Sequence, residues 1–398
     1  MKQISFNKLL NYLLFLSTFA LFSYTDAVYV SKGINSNIWI SLKYITMLLG
    51  VGFGALQILF RVKYNNTKRV ELTFKKETFK ILVVVVVFLF LSLIYQLISG
   101  NITSNMYSEL IKLILPIIYA FCILNVFNFD DIYNCMIAVL IFAILGYILE
   151  IGINNFTWAN IKQISYSTSY SPFESHYAAG TAIATCAFFM YYRKNPIFKY
   201  ISLVFAIFTF KRLAIIFALI FLILPKFVNV NRKVSPKWSW IIKILFVVAT
   251  IIYYHMLLPD FSDTFQKIFN DSAARFTMGR SIYLDRIING NFHSYGLGST
   301  TVFIGKSIEM DFIKILIEIS IVGLIVFIWN YWDICNNHLY CMVYMLFIFI
   351  NLLTSHSLTN VFSWILVYII IGSIVYKNDN EAHVKYKYRH RKVKPMQI

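Results

Sequence analysis

The sequence predicts an all-α polytopic membrane protein, with about twelve helices and a large external loop before the tenth. Three observations predict it. Hydrophobic residues fill 59% of the 398 positions and charged residues only 14%, more apolar surface than a soluble core hides. The apolar residues come in repeated runs of about 20, the length that spans a hydrocarbon core of about 30 Å. The net charge of +18 is collected in basic clusters between runs. That pattern marks the cytoplasmic side of a membrane protein, and no nucleic-acid partner is expected.

Taken in order, Lys2 and Lys8 precede the first apolar run, and no small-residue cleavage site follows. A retained helix over about 9–29 is therefore expected. Further runs predict helices over about 38–60, 81–99, 109–128, 132–152 and 176–192. The basic stretch 61–80 reads as solvated or lipid-facing. Cys122, Cys135, Cys186, Cys335 and Cys341 lie in or beside apolar runs without CxxC spacing. They read as packing residues, neither a disulfide framework nor a metal site.

Residues 197–225 admit two readings, one long helix or two short helices meeting at Lys211 and Arg212. Charge decides between them. With a hairpin of about 197–210 and 213–225, both termini are cytoplasmic, and the inside holds Arg61 to Lys80, Arg193 to Lys199, Lys226 to Lys237 and the tail from Lys377 to Lys394. With one helix, the last two clusters face outside. Each hairpin arm is about 13 residues, or about 20 Å, so its tip stops short of the outer surface. Lys211 and Arg212 are then expected in a pocket open to the outside, where ionisable groups are functional candidates.

The remaining runs predict helices over about 238–258, 310–330, 339–353 and 361–376. The chain thus divides into helices within 1–258, an external loop 259–309, helices within 310–376 and a basic cytoplasmic tail 377–398. A second external stretch, about 153–175, is rich in aromatic and hydroxyl residues. Within 259–309, Asp271 or Ser272 suits an N-cap. Phe276, Tyr283 and Ile287 share one helical face, suiting a helix that lies on the membrane surface.

The candidate chemistry sits where the apolar pattern stops. Arg275, Arg280 and Arg286 fall in the external loop, where basic residues are normally thin. They read as ordinary loop charges or as an anion site, because the guanidinium fork matches phosphate oxygens in pairs. Lys211 and Arg212 would complete a site for a lipid diphosphate and stabilise it as it leaves. Glu309 and Asp311 stand where the chain re-enters the membrane. Either acid could accept a proton from a sugar hydroxyl, and either suits a helix start. Asp311, Lys314 and Glu318 share a helical face and suggest a buried ion-pair ladder.

His293 is a weaker candidate for base or ligand, and His176, His255 and His356 are weaker still. Gly296 and Gly298 shape a turn. Tyr166, Tyr170, Tyr177, Trp158 and Phe173 read as interfacial anchors or as rings that stack on sugars. Lys43 and Glu150, near helix ends, are expected to snorkel. No metal signature is present.

These residues resemble a Wzy-type O-antigen polymerase, a family related to the O-antigen ligases. The likeness lies in Phe210-Lys211-Arg212-Leu213, in Gly279-Arg280 leading to Gly296-Leu297-Gly298, and in Glu309-Met310-Asp311 followed by Leu316, Glu318 and Gly323. It covers the distal half; the first half matches in hydropathy and helix number. The ligases carry a histidine near the position of Glu309, whereas the acid pair is the polymerase pattern.

The resemblance implies glycosyl transfer outside the bacterial inner membrane. A growing glycan leaves undecaprenyl diphosphate for a new lipid-linked repeat unit, with inversion at the anomeric carbon. The resemblance carries over to Arg212, Arg280, Glu309 and Asp311. Joined with the reading of the residues themselves, the candidates are Glu309, Asp311 and Arg280 for catalysis, Lys211, Arg212, Arg275, Arg280 and Arg286 for the diphosphate, and Tyr166, Tyr170 and His293 for sugar. The resemblance further implies no cofactor, contact with membrane lipid and a chain-length regulator as partner. The alternatives are an O-antigen ligase and a lipid-linked oligosaccharide flippase, although a flippase should show pseudo-repeats and none is evident.

Overall fold

Each apolar run becomes helical in the computed structural model, which describes residues 6–33, 37–64, 71–101, 103–164 and 171–377. The first helices are α1 (Phe6–Lys32), α2 (Asn37–Tyr64), α3 (Lys75–Ser99), α4 (Asn105–Val126) and α5 (Phe129–Ile151). A short α6 (Trp158–Lys162) precedes α7 (His176–Tyr192), the pair α8 (Pro196–Phe208) and α9 (Arg212–Phe227), and α10 (Pro236–Met256). The polar stretch that follows holds α11 (Ser262–Phe269), α12 (Ala273–Phe276), α13 (Arg280–Asn289) and α14 (Ser299–Ile304). The chain closes with α15 (Asp311–Ile319), α16 (Ile321–Asp333), α17 (Leu339–Thr354) and α18 (Val361–Tyr376). Among the described residues there is no β-strand, and Lys233 and His338 form an isolated bridge. Helices α1 to α5 and α10 are each long and apolar enough to cross a membrane.

Local sequence sets the helix starts. The Asn128 side chain accepts from the Asp131 backbone N–H at 2.9 Å, and the Asp131 carboxylate accepts from the Asn128 N–H at 3.2 Å. Ser175 caps α7 by accepting from the Ala178 N–H at 3.0 Å, and prolines open α8 and α10. A helix that is apolar all round must be buried. Accordingly α18 is buried along nearly its whole length and packs against α4 and α7. Phe362 of α18 stacks on Phe22 of α1 with centroids 4.5 Å apart. Gly54 lets α2 approach α4, since a Cβ there would lie 2.8 Å from that of Cys122. Leu49, Leu56, Leu59, Phe79, Phe90 and Leu97 face outward from α2 and α3, an apolar rim suited to lipid.

The structure corrects two expectations about the helices. The expected helix over about 310–330 breaks at Ser320, whose φ of 89° is unusual for a residue with a side chain. Beside the break, the Ser294 hydroxyl donates to the Glu318 carbonyl at 2.6 Å, taking a helix-ladder acceptor for a loop contact. The surface-lying helix in 259–309 is also absent as drawn. The chain turns at Met278 (φ 54°) and Gly279 (φ 86°), splitting Phe276 from the helix that carries Tyr283 and Ile287. Leu284 and Ile287 instead bury against Phe265, Ile308, Met310 and Ile313, giving this stretch a small core of its own.

Candidate functional site

The tip of the α8–α9 hairpin is Thr209, Phe210 and Lys211. Phe210 takes φ 52°, which reverses the chain in one residue. The Thr209 carbonyl accepts from the Ser175 N–H at 3.3 Å. The Tyr147 hydroxyl lies 2.7 Å from the Phe208 carbonyl and 2.9 Å from the Phe173 carbonyl. These bonds fix the tip against the segment before α7. The Lys211 ammonium thereby comes within electrostatic reach of Glu174, Arg280 and Glu309. Burial lowers its pKa; Glu174 opposes that shift, Arg280 adds to it and Glu309 opposes it.

Arg280 opens α13 directly after the left-handed Gly279. Its Nε donates to Glu309 Oε2 at 2.8 Å, and its Nη1 reaches the Thr277 carbonyl at 3.4 Å. The pair is partly open, with side-chain exposures of 20% for Arg280 and 52% for Glu309. Such a pair contributes little to stability. The pair joins the start of α13 to the entry of α15, and the Lys211 ammonium at the hairpin tip lies within electrostatic reach of both members.

The other arginines lie differently. Arg275 is 84% exposed and pairs loosely with Asp271 at 3.7 Å. Arg286 is exposed and lies over the Tyr283 ring at 5.8 Å. Six positions along a helix also turn it well away from Arg280. Arg212 is exposed at the first position of α9, and His293 is exposed in the loop after α13. Tyr166 and Tyr170 lie outside the described residues. Phe173 is buried against Phe156 and Phe210, while Trp158 is 70% exposed.

Asp311 is fully buried, and its carboxylate is occupied by the link that follows α17. Its Oδ2 accepts from the Ser357 and Leu358 N–H groups at 2.6 and 2.7 Å, and its Oδ1 lies 2.8 Å from His356 Nδ1. It anchors the α17–α18 link. The expected ladder of Asp311, Lys314 and Glu318 is not formed by direct contacts. Lys314 instead bonds both oxygens of Glu109 on α4, at 2.6 and 2.7 Å. Glu318 accepts from the Gly298 N–H at 2.8 Å, the Thr300 N–H at 2.9 Å and the Thr300 hydroxyl at 2.5 Å. Each charge finds a closer partner on another element. Gly296 serves the same docking: at φ 100°, a Cβ there would stand 2.6 Å from that of Ser92.

Lys43 and Glu150 do not snorkel. Lys43 is buried beside Asp26 and Thr25, and Glu150 accepts from the Ser175 hydroxyl at 2.7 Å. Sequence reasoning left Glu174 and Glu109 unweighed. A signal existed for Glu109, an ionisable residue at the head of an apolar run; for Glu174 there was none. No protein-family model, curated protein or solved structure matches this chain.

Proposed function

We propose that this chain is a membrane glycosyltransferase that polymerises a surface polysaccharide on undecaprenyl diphosphate at the periplasmic face of a bacterial inner membrane. The observation that carries the proposal is the Arg280–Glu309 pair at 2.8 Å, with Lys211 within electrostatic reach of both. Two cations beside a carboxylate suit a reaction in which a diphosphate departs while a hydroxyl loses its proton. In this proposal the donor diphosphate takes the place of Glu309 on the Arg280 guanidinium, with Lys211 as the second cation. The released Glu309 carboxylate then faces the acceptor hydroxyl. That hydroxyl oxygen bonds to the anomeric carbon from the side opposite the diphosphate. The anomeric C–O bond breaks, its electron pair leaves with the diphosphate, and the hydroxyl proton passes to Glu309. Asp311 holds the neighbouring link in position.

The proposed topology has twelve passes, counting α15 and α16 together, with α8 and α9 as a short hairpin and both termini cytoplasmic. The basic clusters at 61–80, 193–199 and 226–237 favour it. A chain-length regulator is the expected partner, and no cofactor is invoked.

The test is reconstitution of the purified protein with its lipid-linked repeat unit, without ATP. Wild type is expected to give a polymer ladder on a gel, and Arg280→Ala and Lys211→Ala none at equal protein levels. Normal ladders from both variants would sink the diphosphate site. Movement of fluorescent substrate across the bilayer without polymer would indicate a flippase, and transfer only onto lipid A core a ligase. Single cysteines in 259–309 should label from outside, over a low background because all five natural cysteines are buried.

A further inference from the structure

An outward apolar surface lies just past the end of α10. That helix has 21 residues, about 31 Å at 1.5 Å per residue, which matches the hydrocarbon core. Met256 therefore stands at the edge of the hydrocarbon, and the residues from Leu257 onward enter the headgroup layer. Helix α11 is held at that level, because Phe265 is buried in the same small core as Leu257 and α11 packs on the turn Pro259–Phe261. Around α11, Phe265, Ile268 and Phe269 fall within an arc of about 100°, with Asp263 and Lys267 on the other side. Of the three, Phe265 is buried, while Ile268 is 62% and Phe269 40% exposed. The Phe269 ring lies 5.3 Å from that of Phe276, which is 54% exposed. Ile268, Phe269 and Phe276 thus form one outward apolar surface. Of the face expected from the sequence only Phe276 takes part in it.

Such a surface marks contact with a membrane or with a protein. Its position favours the membrane. It stands at headgroup depth, and α10 beneath it already turns Leu245, Val248 and Ile252 outward, continuing the same apolar side of the molecule toward the bilayer centre. We propose that α11 and Phe276 seat in the lipid interface, with Ile268, Phe269 and Phe276 at the boundary of headgroups and acyl chains. Asp263, Lys267, Asp271 and Arg275 balance in formal charge, so the seat needs no acidic headgroup. Thr277, next to Phe276, accepts from Arg280 Nη1 and from the Arg280 backbone N–H through its carbonyl. The seated surface therefore sets the depth of the Arg280 guanidinium at the level of lipid phosphates.

The test places the full chain in nanodiscs of phosphatidylcholine, one copy to a disc, so that no second copy can cover the surface. Ile268→Cys, Phe276→Cys and, on the polar side of α11, Asp263→Cys are each labelled with a small fluorophore, over a low background because all five natural cysteines are buried. Quenching is then measured with iodide in the water and with a lipid spin-labelled near its headgroup. The labels at 268 and 276 are expected to be quenched by the lipid and to be several-fold less sensitive to iodide than the label at 263. The readout needs no transfer activity. Iodide quenching as strong at 268 and 276 as at 263 overturns the proposal. Shielding from iodide without quenching by the spin-labelled lipid overturns it as well, since protein then covers the surface.

Discussion

Arg280 Nε and Glu309 Oε2 lie 2.8 Å apart, tying the start of α13 to the residues that lead into α15. The pair couples the group suited to a leaving anion with the group suited to a departing proton. Glu309→Gln keeps a hydrogen-bond acceptor but no base. It is expected to slow polymer formation by about 10²–10⁴-fold, the span that general bases contribute. Arg280→Lys keeps the charge and loses the planar fork, and should slow it by at least about tenfold. Initial rates from the reconstituted protein check both. Wild-type rates in Glu309→Gln would remove this acid from the chemistry.

Arg275 and Arg286 supply the contrast. Both are exposed, one beside Asp271 and the other over Tyr283. Arg275→Ala and Arg286→Ala should therefore leave the polymerisation rate within about twofold of wild type, because exposed pairs contribute little. A loss as deep as that of Arg280→Ala in either variant would mean that the diphosphate reaches further along this surface than Lys211 and Arg280.

The buried pair of Lys314 and Glu109 makes a prediction about stability. Lys314 is wholly buried and bonds both Glu109 oxygens. Removing one partner leaves a charge buried without its counterion, at a cost of about 3–5 kcal/mol. Lys314→Met is thus expected to lower the yield and thermal midpoint of detergent-solubilised protein sharply. Combining it with Glu109→Leu should recover part of the loss, since the pair leaves together while the fully buried Glu318, which also acts on Lys314, loses its counterion. A double variant as unstable as Lys314→Met alone would show that these charges serve other partners too.

The helices were legible in the sequence because apolar run length is a direct consequence of bilayer thickness. Even the α8–α9 break emerged from where Lys211 and Arg212 interrupt the run. What stayed hidden depended on contacts between elements distant in sequence. Nothing near Asp311 indicates that its carboxylate is taken by the backbone N–H groups of Ser357 and Leu358, 46 and 47 positions on. The break at Ser320 was masked for the same reason: hydropathy is continuous across it, and the Ser294 contact that accompanies it comes from the loop. Of the site, Lys211, Arg280 and Glu309 were visible as polar residues in an apolar chain. The pairing of Arg280 with Glu309 within reach of Lys211, and the separation of Arg275 and Arg286, required the fold.

His356, in the link between α17 and α18, offers a test by pH. Its Nδ1 lies 2.8 Å from Asp311 Oδ1, and its Nε2 lies 3.2 Å from the Thr359 hydroxyl. Burial pulls its pKa down, but the Asp311 carboxylate outweighs that effect; Lys314 opposes the rise and Glu109 assists it, leaving the pKa above the ordinary histidine value. The unfolded chain's histidine titrates at about 6.5. A raised folded pKa means that the native state holds the proton more tightly. The resulting stabilisation is complete below about pH 6.5 and is lost as pH rises through the folded value. The thermal midpoint should therefore fall over that upward interval. His356→Gln can still hydrogen-bond Asp311 but carries no proton to lose, so its midpoint should change less across the same range. If wild type instead grows more stable as pH rises there, or if the glutamine variant follows the wild-type slope, the charge on His356 is not what secures this link.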